Sequence, residues 1–343
     1  MKNLFLFVFL LLIGCEQTPK TTISPWVSYD ESQLLEKNAA HKSKRMQYRL
    51  IQSKVSDRNN LWKSIAPQIA SFSKEDYEQL KPFILEQNIP TLQNHVTAGT
   101  LSYEKLTQWY LYRIVLFEND SLKALNAIIS IDPNAVRDAR KKDAKRPEKQ
   151  HLLYGIPILL KDNINAEGLP TTAGAHALKN NLTSDAFIVD RLREKGAVIL
   201  GKTNLSEWAN YLCKGCPNGY SAVGGQTLNP YGIRDFDTGG SSAGSGAAIA
   251  ANYAAAALGS ETSGSILSPS STHALVGLKP TVGLLSRDGI VPISSTYDTP
   301  GPMAKNVIDA SILLSAMKGE DPNDPITKGN SLASEPKVTF TKK

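Results

Sequence analysis

Gly155-Ile156-Pro157-Ile158-Leu159-Leu160-Lys161-Asp162-Asn163 places a short apolar run between a glycine and a charged pair. Such a run has the length of a buried strand, too short for a helix of ordinary size. Ala197-Val198-Ile199-Leu200 repeats the pattern, after a helical segment over residues 185–195 that Gly196 closes. A Ser/Gly segment begins at Gly239. It leads into residues 247–258, whose alanine content reads as helix, and residues 274–278 form a further apolar stretch before Lys279-Pro280. Strands that alternate with helices predict an α/β fold.

Upstream of this region, residues 41–91 read as an N-terminal helical segment. Ser73-Lys74-Glu75-Asp76 carries an N-cap signal, and Tyr77, Leu80 and Ile84 recur at helical spacing. Ser102 is a second cap candidate, before Leu106, Tyr110, Ile114 and Phe117. Asp132-Pro133 predicts another helix start, with proline at its favoured first position. That helix runs into the basic stretch 140–146, a solvated face. The 343 residues suffice for two domains or one large one. Apolar residues at 41% and charged residues at 20% exclude a wholly disordered chain. The net charge of +6 is mild and no basic motif accompanies it, so nucleic acid is not an expected partner.

The first residues carry a targeting pattern. Lys2 precedes ten residues, 4–13, with no polar side chain. That is about half of the ~20 needed to span a bilayer, and it fits a secretory h-region. Gly14-Cys15 follows and resembles a bacterial lipobox. The resemblance implies a lipoprotein signal peptide over residues 1–14, lipid on Cys15, and anchorage in the bacterial cell envelope on the periplasmic or outer-membrane side. The alternative is an ordinary signal peptide with an incidental cysteine. Residues 15–40 read as a polar tether and 326–343 as a polar tail. The remaining cysteines form Cys213-Lys214-Gly215-Cys216. Zinc needs about four ligands, and no histidine lies near. The pair therefore reads as a short loop disulfide or as two free thiols. The five histidines form no metal pair, so neither metal nor cofactor is expected.

Three segments carry chemistry. Lys161 ends a buried apolar run, where ionisation is costly; its pKa should fall, which makes it a candidate base. The alternative is a lysine that reaches the surface at a strand end. Gly239-Gly240-Ser241-Ser242-Ala243-Gly244-Ser245-Gly246 and Gly259-Ser260-Glu261-Thr262-Ser263-Gly264-Ser265 are turns of small residues able to aim backbone N–H groups at a ligand. Neither is a phosphate-binding Walker loop or a dinucleotide fingerprint. Gly240–Gly244 matches the G-x-S-x-G nucleophile elbow, but that mechanism needs an acid and then a histidine downstream. Only His273 follows, inside the same βα unit.

Together these segments resemble the amidase signature family: a lysine after an apolar run, a Gly-Gly-Ser-Ser-x-Gly segment, then a Gly-Ser nucleophile. Lys161, Ser241 and Ser265 are spaced 80 and 24 residues apart. The likeness extends through Gly201–Asn210, Gly225–Pro230, Val276–Pro280, Ser286–Ile290 and Asp298–Pro302, and its wording is closest to bacterial peptide amidases, which remove the C-terminal amide of peptides. It implies an α/β amidase-signature domain over residues 92–325, with a mixed open sheet between helices. It implies hydrolysis of small-molecule or peptide amides through an acyl-enzyme: Ser265 as nucleophile, Ser241 as relay behind a cis Gly240–Ser241 bond, Lys161 as base. The N–H groups of Thr262, Ser263, Gly264 and Ser265 would form an oxyanion hole, with Ser242 supporting Lys161 or its neighbours. Ser263 stands where the family commonly has Asp. Family members commonly continue past the segment at Asp324-Pro325, and that continuation supplies further strands and a pocket wall; the resemblance therefore implies either a C-terminally truncated domain or a fold closed differently. Competing readings are a non-catalytic envelope lipoprotein that keeps the fold, and the amide-hydrolysing subunit of a tRNA amidotransferase, against which the lipobox speaks.

Overall fold

The computed structural model describes residues 21–213 and 215–329. The proposed signal peptide and Cys15 lie outside the described residues, as does most of the polar tail. Ten helices are described: α1 (Ser32–Ala39), α2 (Asn59–Ile69), α3 (Lys74–Ile84), α4 (Ile89–Thr97), α5 (Tyr103–Glu118), α6 (Ala135–Ala144), α7 (Phe187–Glu194), α8 (Ala243–Ala250), α9 (Leu267–Thr272) and α10 (Val307–Met317). The strands are β1 (Ile128–Ile131), β2 (Pro157–Lys161), β3 (Val198–Thr203), β4 (Tyr220–Ser221), β5 (Gly225–Gln226), β6 (Ala256–Glu261), β7 (Val276–Gly277) and β8 (Thr299–Ala304).

Six strands form one mixed sheet in the order β1-β3-β2-β6-β8-β7, flanked by helices. β2 runs parallel to β3 and β6 at its centre, which is why both expected strands are apolar along their length. β1 is antiparallel on one edge; β8 is antiparallel to both β6 and β7 on the other side. The fold is thus the expected α/β class with a mixed sheet.

The two predicted caps form. Ser73 and Asp76 make a reciprocal capping box, and the Ser102 hydroxyl accepts from Lys105 N at 3.1 Å. The Asp132-Pro133 start moves: Pro133 sits in a turn and α6 begins at Ala135. The larger correction concerns residues 247–258. The helix is α8, which begins and ends earlier than its alanines suggested, and residues 256–261 are the strand β6. Asn252, at φ 59°, stops the helix: its N–H reaches Ile249 O at 3.0 Å and Tyr253 N reaches Ala248 O at 2.8 Å. This paired closure is a Schellman ending. Small residues suit both elements here, because α8 presses on the chain at Asn204. A Cβ on Gly244 would lie 2.3 Å from Asn204 O.

The domain limits also change. Residues 21–40 are not a free tether. They contain α1, Trp26 N donates to Asn59 Oδ1 at 2.7 Å, and buried Glu31 accepts from Gln52 N at 2.8 Å. Ile23, Trp26, Leu34 and Leu35 pack on the core, an apolar content that the polar average conceals. The expected boundary at residue 92 falls inside α4, and the N-terminal helices share one core with the sheet through Ile65, Phe72, Trp109 and Leu160. At the other end the body reaches Gly329, since Thr327 is buried and Asp324 pairs with Arg287 at 2.5 Å.

Candidate active site

Lys161 closes β2 with its side chain fully buried. Burial pulls its pKa down to about 7, while the carboxylates of Glu261 and Asp298 act in the opposite sense. Its Nζ lies 2.7 Å from Ser241 Oγ, 2.9 Å from Ser260 Oγ and 3.0 Å from Ser260 O. A neutral amine has two protons and one lone pair. In that form Lys161 gives both protons to Ser260 and offers its lone pair to the Ser241 hydroxyl. Asn163 Nδ2 donates to Ser260 Oγ at 2.8 Å and fixes it from the other side.

The Gly240–Ser241 peptide is cis. Ser206 N donates to Ser241 O at 2.9 Å. A Cβ on Gly240 would meet Ser206 Oγ at 2.7 Å, so a larger residue there must displace that hydroxyl. Among the described residues Ser242 makes no hydrogen bond to Lys161 itself, but it bonds Lys161's neighbour Ser260. The Ser242 N–H donates to Ser265 O at 3.1 Å, and its hydroxyl bonds to the Ser260 backbone at 3.3 Å. It therefore joins the two serine loops. The elbow's histidine is not engaged: His273 is buried with Nδ1 2.7 Å from Pro269 O and makes no hydrogen bond to Ser242 among the described residues.

Beyond β6 the chain turns through Thr262–Ser265 into α9. Glu261 Oε2 accepts from Ile266 N at 2.7 Å and Leu267 N at 2.9 Å, which folds the turn back on itself. Gly264 takes φ 83°, and the Thr262 hydroxyl donates to Asp298. The backbone N–H groups of Thr262, Ser263, Gly264 and Ser265 donate to no protein acceptor among the described residues. Four consecutive amides are thus available beside Ser265. Ser265 lines a cavity of about 260 Å³. Ser265 Oγ makes no hydrogen bond to Ser241 among the described residues. Lys161, Ser241 and Ser260 form the connected set, and Ser265 joins it through its own carbonyl and Ser242.

Ser260, Asn163, Glu261 and Asp298 belong to the site and were not singled out in the sequence. Ser260 and Glu261 lie within the quoted glycine-rich turn, where only backbone roles were read. A second buried cation was also missed. Lys202 Nζ is 3.8 Å from Asp162 Oδ1, with both side chains at zero exposure. Cys213 and Cys216 are joined as a disulfide, with Cα atoms 5.7 Å apart. Among the described residues no cluster of three or more potential metal ligands occurs.

A profile of the Amidase family matches residues 106–343. The chain belongs to the amidase family. A probable amidase of Arabidopsis thaliana is 43% identical over 251 residues, which is 71% of this chain and 48% of that protein. A glutamyl-tRNA(Gln) amidotransferase subunit of Lawsonia intracellularis is 39% identical over 69% of this chain and 47% of its own length. Among solved structures, an amidase family protein from Bacillus anthracis superposes with TM-score 0.78 at 43% identity, covering 81% of this chain and 55% of that one. The peptide amidase of Stenotrophomonas maltophilia superposes with TM-score 0.68 at 48% identity, covering 74% and 51%. This amidase-family chain spans about half the length of the curated relatives it matches.

Proposed function

We propose that the chain hydrolyses carboxylic amides to acid and ammonia or amine through an acyl-enzyme on Ser265. The observation that carries this reading is a fully buried Lys161, held near neutrality by burial, 2.7 Å from the Ser241 hydroxyl. In the proposed reaction Lys161 takes the Ser241 proton as Ser241 takes the proton of Ser265. Ser265 Oγ attacks the amide carbon, and the four free amides of residues 262–265 receive the developing oxyanion. The C–N bond breaks as the stored proton passes back through Ser241 to the leaving nitrogen. Water then repeats the sequence on the ester. The 48% identity to a peptide amidase favours C-terminal peptide amides as substrates.

A fluorophosphonate probe should label Ser265, and ammonia release from peptide amides should accompany it. Protonation of Lys161 removes the base, so activity should be full above its pKa of about 7 and fall about tenfold per pH unit below it. A pH–rate profile with no acid limb between pH 5 and 8 would refute the role of Lys161. A folded chain that never labels would favour the non-catalytic reading.

We further propose that the mature chain is lipid-anchored in the bacterial cell envelope through Cys15. The sequence motif alone supports this. Cys15→Ala should leave the protein unprocessed or move it from the membrane to the soluble envelope fraction. Membrane fractionation with mass spectrometry of the N-terminal peptide tests it, and an unmodified Cys15 in the parent rules it out.

A further inference from the structure

The catalytic cavity has a charge balance that bears on its substrate. Its charged lining residues are Glu261, Asp288, Asp298 and Asp324, against Arg287 as the single cation among the described residues. Arg287 is already committed. Its Nη2 lies 2.5 Å from Asp324 Oδ1, its Nε and backbone N each lie 2.8 Å from Asp324 Oδ2, and Nη1 donates to Ser295 O. Glu261 and Asp298 are equally occupied, holding the amides of Ile266, Leu267, Ile293 and Ser294. Asp288 is the exception: among the described residues its carboxylate accepts only from Asn323 Nδ2, at 3.5 Å. The run Ile290–Ile293 supplies an apolar wall.

A ligand carboxylate in this space would face uncompensated acids and, among the described residues, find no free cation. We infer that the site takes amides whose acyl part is neutral or cationic and rejects those bearing a free carboxylate, glutamine included. The Arg287–Asp324 pair and Asp288 would set this discrimination. The inference rests on the hydrolase reading for the position of the amide, but its test does not require turnover.

The full chain carrying Ser265→Ala is titrated calorimetrically, at low and high salt, with the α-amides of N-acetyl-leucine, N-acetyl-lysine and N-acetyl-glutamate, and with glutamine. The glutamate amide should bind about tenfold or more weakly than the leucine amide at low salt, with the gap narrowing as salt rises. The lysine amide should bind at least as well as the leucine amide, and glutamine should give no heat. Adding Asp324→Asn frees Arg287 and should shift the glutamate-to-leucine affinity ratio about fivefold or more toward glutamate. Should that variant not fold, Asp288→Asn must shift the ratio in the same direction. Equal affinity for the glutamate and leucine amides, or a ratio that neither variant moves, overturns the inference. A parent chain that labels with fluorophosphonate while its Ser265→Ala form binds both amides equally loses this inference alone. One that ranks the ligands as stated but never labels loses only the hydrolase reading.

Discussion

On the proposed mechanism, Ser265→Ala will abolish both fluorophosphonate labelling and amide hydrolysis, because it removes the atom that would form the acyl bond. Ser241→Ala and Lys161→Ala should each slow acylation by roughly 10²–10⁴, the usual range for losing a positioned proton acceptor. The double variant should be little worse than either single one. In the proposed relay Lys161 acts on Ser265 through Ser241 Oγ, which lies 2.7 Å from its Nζ, so deleting either would break the same relay. Residues that act as one unit are grossly non-additive when removed together. Single-turnover labelling of the three single variants and the double is the measurement. Multiplicative losses in the double variant would mean that Lys161 and Ser241 act independently. A Ser265→Ala chain that still labels, beside a Ser242→Ala chain that does not, would move the nucleophile to Ser242.

The parts of this site that were readable in the sequence are those with a local cause. Lys161 stood out because an apolar run, Ile156–Leu160, precedes it, and the same run both buries the amine and lowers its pKa. Gly240 and Gly264 stand in glycine-rich turns for local reasons: a Cβ at one would press on Ser206 Oγ, and the other takes a positive φ. Ser73 and Ser102 were visible as caps for the same local reason.

Other features depended on segments far away in sequence. Alanines 247, 248 and 254–257 fit a helix or a strand equally well, and the Asn252 stop decides between them only once its neighbours' hydrogen bonds are seen. Trp26 and Glu31 looked like tether residues because the Asn59 and Gln52 groups that hold them lie 33 and 21 residues away. Ser260 was hidden for a different reason. It sits in a turn already assigned backbone work, and its role follows from counting the protons on a neutral lysine.

Lys202→Met should cost about 3–5 kcal/mol of stability, the range for breaking a buried ion pair from one side. Lys202 and Asp162 are both fully buried, and Asp162 Oδ1 has no hydrogen-bond partner, so the ammonium is its principal compensation. Burial already raises the Asp162 pKa while Lys202 lowers it. Without Lys202 the raised value rises further. A carboxylate with a raised folded-state pKa is best tolerated at low pH, so the deficit of Lys202→Met should be smallest in acid and deepen as pH rises. The double variant Lys202→Met with Asp162→Asn should lose less than the sum of the two single changes, since no buried charge is left stranded. Urea unfolding at two pH values measures all three. The loss should also reach the active site. Asp162 Oδ2 accepts from Thr172 N at 3.2 Å and Gly174 N at 3.3 Å, and the Ala173 carbonyl between them accepts from Trp208 N at 2.9 Å. Two residues before Trp208, Ser206 N holds the carbonyl of Ser241. A pair that only stabilises the fold would leave the labelling rate per folded molecule unchanged. A pair that also holds this loop would lower it, most in Lys202→Met and less in the double variant.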